Sequence, residues 1–421
     1  MAKEIYDIAV IGGGPAGIMG AIRAGQLKKN VVLIERNDCL GRKIILSGKG
    51  RCNVTNIAPI GKFVEKFRET GQFLKPALYS FFNQDLIDFF ESKGLRLKIE
   101  RQARVFPVTD KAQSIVEVLK RSLREGNVSV LYNMRLVDLE KKDSLFLLHL
   151  EGNKRVSARK VILATGGASY KVTGSTGDGF RLAKKFGHTI AALKPGLVPL
   201  KTKELWVKEL QGLTLKNIRI TFEYGKKKTR SAVGELLFTH FGVSGPLILD
   251  LSKEIVSVLE KHKEVRLLID LKPGLRPEQI KKRLLNEFNA RGKSQIKNIM
   301  KGLLPQRLIP VFIRLSDIEP ENRGNQITQK ERPRIIDLLK ALPLTIIGSL
   351  RLEEAMVTDG GVSTKEINSR TMESKIVPGL YFAGEIIDGS APSGGYNLQK
   401  AFSTGYLAGE KAGSLIGGHN T

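Results

Sequence analysis

The sequence predicts an α/β fold whose main domain is built from both ends of the chain, with a β-rich segment and a helical segment inserted between them. Three observations predict it. Apolar runs that end in glycine turns occur near both termini, polarity alternates after Pro195, and a helical period begins at Pro277. The predicted domains are 1–190 with 355–421, 191–272 with 336–354, and 273–335.

The N-terminal segment predicts a strand–turn–helix–strand unit. It consists of a strand at Ile5–Ile11, the turn Gly12-x-Gly14-x-x-Gly17, a helix that ends by Asn30, and a strand at Val31–Ile34 followed by Glu35. Gly12 allows the tight turn, Gly14 lets the backbone approach a pyrophosphate, and Gly17 lets helix and strand pack closely. The helix N-terminus would bind the diphosphate, and Glu35 would accept a ribose hydroxyl. The unit predicts a Rossmann-like dinucleotide site without distinguishing FAD from NAD.

The C-terminal part of the sequence favours FAD. A short strand at Leu380–Ala383 ends in Gly384-Glu385, and Gly394-Gly395 opens a helix further on. This order resembles the second FAD-binding signature of flavoproteins with two dinucleotide folds, in which a helix dipole favours the anionic reduced flavin. A third strand, Val161–Ala164, runs into the glycine turn Thr165–Gly167. The insertion contains no second glycine motif of this kind, so NAD(P)H is expected to reduce the flavin by transient docking.

The stretch GRKIILSGKGRCNVTN at Gly41–Asn56 admits three interpretations: a catalytic thiol, a phosphate cradle or a basic surface turn. It follows Glu35 closely, so we expect it to run along the cofactor, with Arg42 and Lys43 offering charge to the phosphates. An ATP-binding loop is excluded because Gly50 stands where Ser or Thr is required. Cys52 is a candidate proton donor whose pKa would be tuned by Lys49 and Arg51, although these cations also favour the thiolate.

The predicted FAD contacts come from all of these motifs. They are Gly12, Gly14, Pro15, Ala16, Gly17, Glu35, Arg36, Arg42, Lys43, Ser47, Gly48, Gly50, Arg51, Cys52, Asn53, Ala164, Thr165, Gly166, Gly384, Glu385, Gly394, Gly395, Tyr396, Asn397 and Leu398.

The insertion predicts an antiparallel barrel-like unit followed by short helices. The predicted strands are Leu213–Phe222, Glu235–Phe238 and Val265–Asp270, and the predicted helices begin at Pro277 and cover Ile296–Leu304, Leu308–Leu315 and Ile335–Leu342. GVSGP is not a serine-hydrolase elbow, because Pro246 replaces the last glycine. His240 either faces the flavin as a proton donor or is a buried histidine whose hydrogen bonds are satisfied within the fold.

The net charge is unusual for an enzyme of small metabolites. Lys and Arg total 69 against 42 acids, which gives +27. Such a field indicates a polyanionic partner, and the alternative is a solubility device or a feature of the host proteome. Two cysteines, no signal peptide and no membrane-spanning run predict a cytoplasmic protein, and no metal-ligand spacing occurs. The oligomeric state is left open.

Five motifs occur in one order along the chain: GGGPAG at 12–17, SGKGRCNVTN at 47–56, GSTGDG at 174–179, GELLFTHFGVSGP at 234–246 and GLYFAGEIIDGSAPSGGYNLQKAFSTG at 379–405. Together they resemble the BaiN/YhiN-like flavoprotein family, also called aminoacetone-oxidase-like. The resemblance implies non-covalent FAD, a Rossmann-like domain, a β-rich insertion and a small helical domain. This chain differs from the family pattern at GSAPS, residues 389–393, where many relatives carry an acidic, Arg-containing stretch.

The resemblance leaves the substrate open. Family members are amine oxidases, reductases of unsaturated bile-acid intermediates, or flavin-dependent dihydrouridine synthases of large-subunit ribosomal RNA. The charge favours the RNA enzyme, with Cys52, His240 or Tyr396 as the proton donor. A small-molecule oxidase or ene-reductase is the alternative, and a flavin-bearing module without turnover is a third.

Overall fold

The computed structural model describes residues 5–225 and 227–414. The chain divides into two compact units, Met1–Gly196 with Leu352–Thr421 and Leu197–Arg351. We call them the terminal unit and the inserted unit. The predicted boundaries at 190 and 355 lie close to this division. The inserted unit contains both the barrel and the helical segment 273–335, so a separate helical domain stays a prediction.

The terminal unit begins with alternating strands and helices. In chain order they are β1 (Ile5–Ile11), α1 (Pro15–Gln26), β2 (Val31–Ile34), α2 (Arg42–Leu46), β3 (Thr55–Asn56), α3 (Ile60–Lys66), α4 (Gly71–Ser80), α5 (Asn83–Ser92), β4 (Leu97–Glu100), β5 (Arg104–Pro107), α6 (Ala112–Glu125), β6 (Ser129–Leu131), β7 (Leu136–Lys142), β8 (Leu145–Leu150), β9 (Arg155–Leu163), α7 (Asp178–Lys185) and β10 (Ile190–Gly196). The predicted strands at Ile5–Ile11 and Val31–Ile34 are confirmed to the residue.

The inserted unit follows as a barrel with helices. Its elements are β11 (Leu200–Thr202), β12 (Thr214–Tyr224), β13 (Lys227–Phe238), β14 (Gly242–Ser244), α8 (Pro246–Leu259), β15 (Val265–Asp270), α9 (Pro277–Ala290), α10 (Ile296–Met300), α11 (Ile309–Leu315), α12 (Glu331–Lys340) and β16 (Leu342–Ser349). Strands β11, β14, β13, β12, β15 and β16 close the barrel in that order, and all their pairings are antiparallel. The predicted antiparallel barrel is therefore confirmed.

The chain then returns to the terminal unit through β17 (Val357–Val362), β18 (Leu380–Phe382) and α13 (Tyr396–Ser414). The main sheet has the order β6–β2–β1–β9–β8–β7, and β18 pairs with the second half of β9. Strands β6, β2, β1, β9 and β18 are mutually parallel. Such strands are buried on both faces, which explains why β1 and β2 are nearly continuous apolar runs.

Two predicted helix ends are wrong. The predicted helix at Ile335–Leu342 begins earlier, at Glu331, and ends at Lys340, and Leu342 already belongs to β16. Its side chain is fully buried in the core of the inserted unit, and its backbone pairs with Ile269 of β15, so strand pairing outweighs the helical period there. The predicted helix at Ile296–Leu304 ends at Met300, and Leu303 and Leu304 lie buried in the turn that precedes Pro305.

Candidate functional site

Four parallel strands of the terminal unit end at one edge of the sheet. The turn after each strand is bonded to the neighbouring strand: Gly12 N–H donates to Ile34 O at 2.8 Å, Ala164 N–H to Ile11 O at 2.9 Å, and Ala383 N–H to Leu163 O at 3.0 Å. Ligands of open parallel sheets bind beyond the carboxyl ends of the strands. The residues that the sequence predicts at these turns, which are distant in the chain, therefore share one edge.

The glycine turn after β1 holds α1 tightly against the sheet. Gly12 has φ +108°, and a Cβ there would lie 2.5 Å from Ala164 O. A Cβ at Gly17 would overlap the Gly12 carbonyl, whereas one at Gly14 would meet nothing within 4 Å. Helix α1 has Pro15 at its first turn and no side chain capping its N-terminus. This combination of close packing behind the turn and open space at Gly14 fits a diphosphate at the helix N-terminus.

Glu35 closes the same turn from the end of β2. Its carboxylate accepts N–H groups of Gly13 at 2.6 Å and of Asn37 at 2.8 Å, and the Asn37 side-chain amide at 2.6 Å. Only 6% of Glu35 is exposed. Arg36 turns away from this carboxylate and donates to Thr176 Oγ1 at 2.7 Å. The contact of Glu35 or Arg36 with a cofactor stays a prediction.

A second carboxylate joins the two predicted flavin motifs. Lys43 Nζ donates to Glu385 Oε2 at 2.7 Å, and Glu385 Oε1 also accepts from Thr358 N–H at 2.7 Å and from Ser169 Oγ at 3.0 Å. Burial alone would raise the pKa of Glu385, but the ammonium of Lys43 and these hydrogen bonds together lower it. Glu385 is therefore ionised at neutral pH and holds Lys43 beside the turn after β18.

Arg42 behaves differently from its neighbour. Its guanidinium pairs with Asp38 at 2.8 Å and contacts Cys39 Sγ, and its side chain is 37% exposed. The side-chain hydrogen bonds to Cys39 and Asp38 raise the pKa of Arg42. A phosphate contact for Arg42 stays a prediction.

The segment Ser47–Asn53 adopts an unusual backbone. Gly48, Lys49, Gly50 and Cys52 all have φ between +57° and +83°. This region favours glycine, so Lys49 and Cys52 carry local strain of about 1 kcal/mol each. Cys52 N–H donates to Ser47 O at 3.0 Å, and Asn53 Oδ1 accepts from Val105 N–H at 3.2 Å. Strained backbone of this kind concentrates at functional sites.

The predicted tuning of Cys52 by nearby cations is wrong. The side chain is fully buried, and burial raises the pKa of the thiol to about 12 against a small lowering by Ser47. Arg51 lies over the Phe106 ring at 4.1 Å and pairs with Glu100 at 2.8 Å and Asp110 at 3.2 Å. The charge of Arg51 is therefore paired with these two acids. Cys52 is accordingly a neutral thiol, not an activated thiolate.

The C-terminal glycine motif packs directly on this segment. Asn56 Nδ2 donates to Gly394 O at 3.0 Å, and a Cβ at Gly395 would overlap the backbone of Thr55. Tyr396, at the start of α13, is 9% exposed and meets Phe63 edge-on at 4.7 Å. The structure therefore brings SGKGRCNVTN and GGYN into contact, although about 340 residues separate them in the chain.

The start of α13 holds the predicted cofactor contact Asn397 and two supporting residues that sequence reasoning missed, Gln399 and Lys400. Asn397 binds Ala391 through both its side-chain oxygen and its amide, Gln399 contacts Thr55 Oγ1 at 2.5 Å, and buried Lys400 donates to the carbonyls of Ile387 at 2.6 Å and Gly389 at 2.5 Å. Lys400 thereby fixes the loop that contains GSAPS. A lysine within the otherwise apolar and small-residue face of α13 was the available signal.

The other predicted site residues lie in three places. Ala164 and Gly166 form the turn after β9, and Thr165 Oγ1 is buried there without a hydrogen-bond partner in the described part of the chain. Leu398 packs against the core of the terminal unit. His240 belongs to the inserted unit, where it is exposed and meets Phe241 edge-on at 4.9 Å. The alternative of a buried, satisfied histidine is therefore wrong, and its role as a proton donor stays a prediction.

The chain matches the model of the HI0933-like protein Rossmann domain over residues 6–411. The chain belongs to this family. It is 33% identical to a ribosomal RNA dihydrouridine synthase of Escherichia coli K12, over 96% of this chain and 97% of that protein. It is 32% identical to a 3-dehydro-bile acid delta(4,6)-reductase of Clostridium scindens, over 96% and 98%. The resemblance to the BaiN/YhiN-like flavoproteins is confirmed.

A solved structure supports the same fold. The open conformation of a flavocytochrome c3 fumarate reductase superposes with a TM-score of 0.53 at 18% identity, covering 98% of this chain and 78% of that one. Family and fold identify this protein as an FAD-dependent oxidoreductase. No helix within residues 5–225 and 227–414 is long and apolar enough to cross a membrane.

The geometry of the terminal unit fits FAD. The turn at Gly12–Gly17 and the N-terminus of α1 would hold the diphosphate, Glu35 the adenosine ribose, and the segment around Gly48 and Gly395 the flavin side. When bound, FAD supplies reversible two-electron chemistry. The chain supplies the rest: Lys43 with Glu385 fixes the turn after β18, and Lys400 fixes the loop before α13.

Proposed function

We propose that this oxidoreductase reduces the C5=C6 bond of a uridine in large-subunit ribosomal RNA to dihydrouridine. The supporting observation is the charge. The inserted unit, residues 197–351, contains 30 of the 69 Lys and Arg residues but only 16 of the 42 acids, a net +14 in about a third of the chain. An RNA backbone is the polyanion that such a surface attracts, through the release of counterions.

The relatives support the same class of reaction. Two proteins named ribosomal RNA dihydrouridine synthase, from Escherichia coli and Haemophilus influenzae, match at 33% and 31% identity over 96% of this chain. Uridine C6 is the β-carbon of an enone-like system whose carbonyl is at C4. Reduction therefore adds a hydride at C6 and a proton at C5, and the target base has to leave its stack to reach a buried site.

A small-molecule ene-reductase is the second candidate. The Clostridium scindens relative is named for the reduction of an unsaturated bile acid and is as similar to this chain as the RNA enzymes are. The substrate in that name also contains a carbon–carbon double bond conjugated to a ketone, so the same site chemistry would reduce either substrate. A bile acid carries a single carboxylate and does not need a net charge of +27, which is why RNA is favoured. An amine oxidase is disfavoured, since amines are mostly cationic.

The proton at C5 requires a donor. Tyr396 lies at the start of α13, beside the Gly394-Gly395 turn, and is the candidate with a hydroxyl in the terminal unit. The neutral Cys52 thiol can donate, but its burial and its pKa of about 12 make it a weak acid. His240 is the third candidate. We propose NADH or NADPH as the transient reductant, and a cytoplasmic setting, which RNA modification requires.

The decisive experiment uses purified protein loaded with FAD, a nicotinamide cofactor and ribosomal RNA transcribed in vitro, which lacks dihydrouridine. Nucleoside mass spectrometry should show one uridine that has gained two hydrogens. The Tyr396→Phe variant should lower the rate by about 10²–10⁴ if Tyr396 is the donor. An unmodified transcript, together with turnover of a conjugated steroid ketone, would replace the first candidate by the second. Anaerobic bleaching of the flavin by NADH or NADPH tests the reductant.

A further inference from the structure

The inserted unit contains a half-open cavity of about 280 Å³ that the flavin chemistry does not use. It lies where the barrel meets the segment after α10. Its lining side chains are apolar apart from Thr214 and two lysines. The lining residues are Thr214, Leu215, Lys216, Ile218, Leu271, Lys272, Leu303, Leu304 and Pro305.

The cavity lies beside the first half of β12, beyond the end of its pairing with β15. Strand β15 pairs with β12 over Arg219–Glu223, and the chain leaves the barrel after Asp270. The first half of β12 still pairs with β13 on one side, and on the other side residues 271–272 and 303–305 line the cavity. A register shift between Leu215 and Ile218, with Asn217 at φ +53°, directs Lys216 to the surface while both neighbours of the bulge stay buried.

Two lysines line the cavity, and a third cation, Arg283, lies close to one of them. Lys216 and Lys272 line the cavity, and Arg283 donates to Gly302 O at 3.2 Å beside the wall residue Leu303. Burial, and to a smaller extent the charge of Arg283, lower the pKa of Lys272. Among the residues described by the structure, none of the three has an ion pair with a carboxylate. The Asp270 carboxylate accepts the backbone N–H of Lys272 at 3.0 Å, and its charge is paired with Lys340 at 2.7 Å.

Like charges held together beside an apolar wall cost free energy unless an anion joins them. The anion that fits this wall has an apolar or planar body attached to its charge. We propose that the cavity binds one nucleotide of a single-stranded RNA segment, with the phosphate at Lys216 and Lys272 and the base or ribose against Leu303 and Pro305. This inference rests on the proposed RNA substrate and adds an anchoring site outside the flavin domain.

The test compares two double variants of the FAD-loaded protein. Lys216→Met with Lys272→Met removes both charges but keeps the aliphatic stems. Lys261→Met with Lys263→Met, before β15 and thus at the opposite end of that strand from Lys272, removes the same charge from exposed positions. Binding of a fluorescein-labelled oligouridylate is measured by anisotropy against salt. The cavity variant should bind about tenfold more weakly and lose about 0.7 from the log–log salt slope, because one phosphate is no longer neutralised, whereas the control should change little.

The outcomes separate the inference from the proposed function. Equal weakening by both double variants would overturn the inference, since the binding would then follow net charge alone. Binding to anionic phospholipid vesicles but not to oligouridylate would overturn it too. Loss of oligouridylate binding in the cavity variant, with no dihydrouridine formed by the parent protein, would support the anchoring site and reject the proposed reaction. Normal dihydrouridine formation with unchanged binding in the cavity variant would reject only the anchoring site.

Discussion

At the residue scale, Cys52 shows how tertiary burial outweighs neighbours in sequence. Its position directly after the cationic glycine turn Gly48–Arg51 suggests a tuned thiol, but the folded chain removes it from solvent. The flanking cation Arg51 instead stacks on Phe106 and pairs with acids from other elements. What remains is a neutral buried thiol on strained backbone.

We therefore predict that the two cysteines differ sharply in alkylation. At pH 8, a thiol with a pKa of about 12 is about one part in 10⁴ thiolate, and Cys52 is also inaccessible. Cys39 is partly exposed. Iodoacetamide followed by peptide mass spectrometry should label Cys39 and spare Cys52 in native protein, and label both in guanidinium chloride. Native labelling of Cys52 as fast as Cys39 would contradict the buried placement.

The Lys43–Glu385 pair makes the second prediction at this scale. Lys43→Met leaves the carboxylate without its cation, so we expect a loss of about 1–3 kcal/mol in unfolding free energy at pH 7 and weaker FAD retention. The depressed pKa of Glu385 contributes stability above its unfolded value of about 4.3, and this is lost as the pH falls through the folded pKa. The difference between parent and variant should therefore shrink in acid.

The matched control is Lys62→Met. Lys62 pairs with Glu65 at 2.9 Å, but both side chains are about 60% exposed. Water and salt screen such exposed pairs, so this variant should unfold almost as the parent does. Chemical denaturation at pH 7 and pH 4 measures both variants. A loss for Lys43→Met that stays constant across this range would argue against an ion pair.

At the scale of elements, α1 and α13 approach through glycine. A Cβ at Gly405 would overlap the Ala16 backbone, and one at Gly409 would overlap the backbone of Gly20. These helices begin at the two predicted flavin motifs, so their close contact fixes one motif against the other. The two helices contact each other backbone to backbone, so a rotamer change in either helix cannot make room for an added side chain.

Gly405→Ala is accordingly predicted to cost about 2–4 kcal/mol of stability and to loosen FAD, because α1 must move. Gly61→Ala is the control: it lies in α3, and an added Cβ there meets nothing within 4 Å. That change should stabilise the protein by about 0.5–1 kcal/mol through helix propensity. Thermal unfolding and flavin release on gel filtration measure both effects. Equal stability of the two variants would refute the close helix contact.

The sequence predicted individual strands and helices better than it predicted the contacts between them. The glycine spacing and the apolar period specify β1, α1 and β2, because local turn chemistry and burial decide them. The contact of Lys43 with Glu385 joins positions 342 residues apart, and no local pattern encodes it. The left-handed backbone at Lys49 and Cys52 was equally invisible, since only tertiary packing keeps such residues there. The prediction that the helix extends through Leu342 was wrong, because buried positions are apolar in strands and in helices alike and the sequence does not distinguish the two.

At the scale of the whole molecule, the charge is the feature with the widest consequences. With a net charge of +27, the positive side chains repel one another in the folded state. Many of the described ion pairs are solvent-exposed and individually weak, so they offset little of this repulsion. The inserted unit carries slightly more than half of the excess. The protein thus retains a repulsion that a polyanion would relieve.

The last prediction follows from this repulsion. Raising NaCl from about 0.01 M to about 0.15 M shortens the Debye length from about 30 Å to about 8 Å, so the melting temperature should rise. Heparin at low salt should raise it further, because a bound polyanion adds linkage stabilisation to screening. Differential scanning fluorimetry of the FAD-loaded protein measures both, with uncharged dextran as the control. A melting temperature that falls with salt would mean that ion pairs outweigh self-repulsion, and the charge would then be a stabilising network instead of a polyanion-binding field.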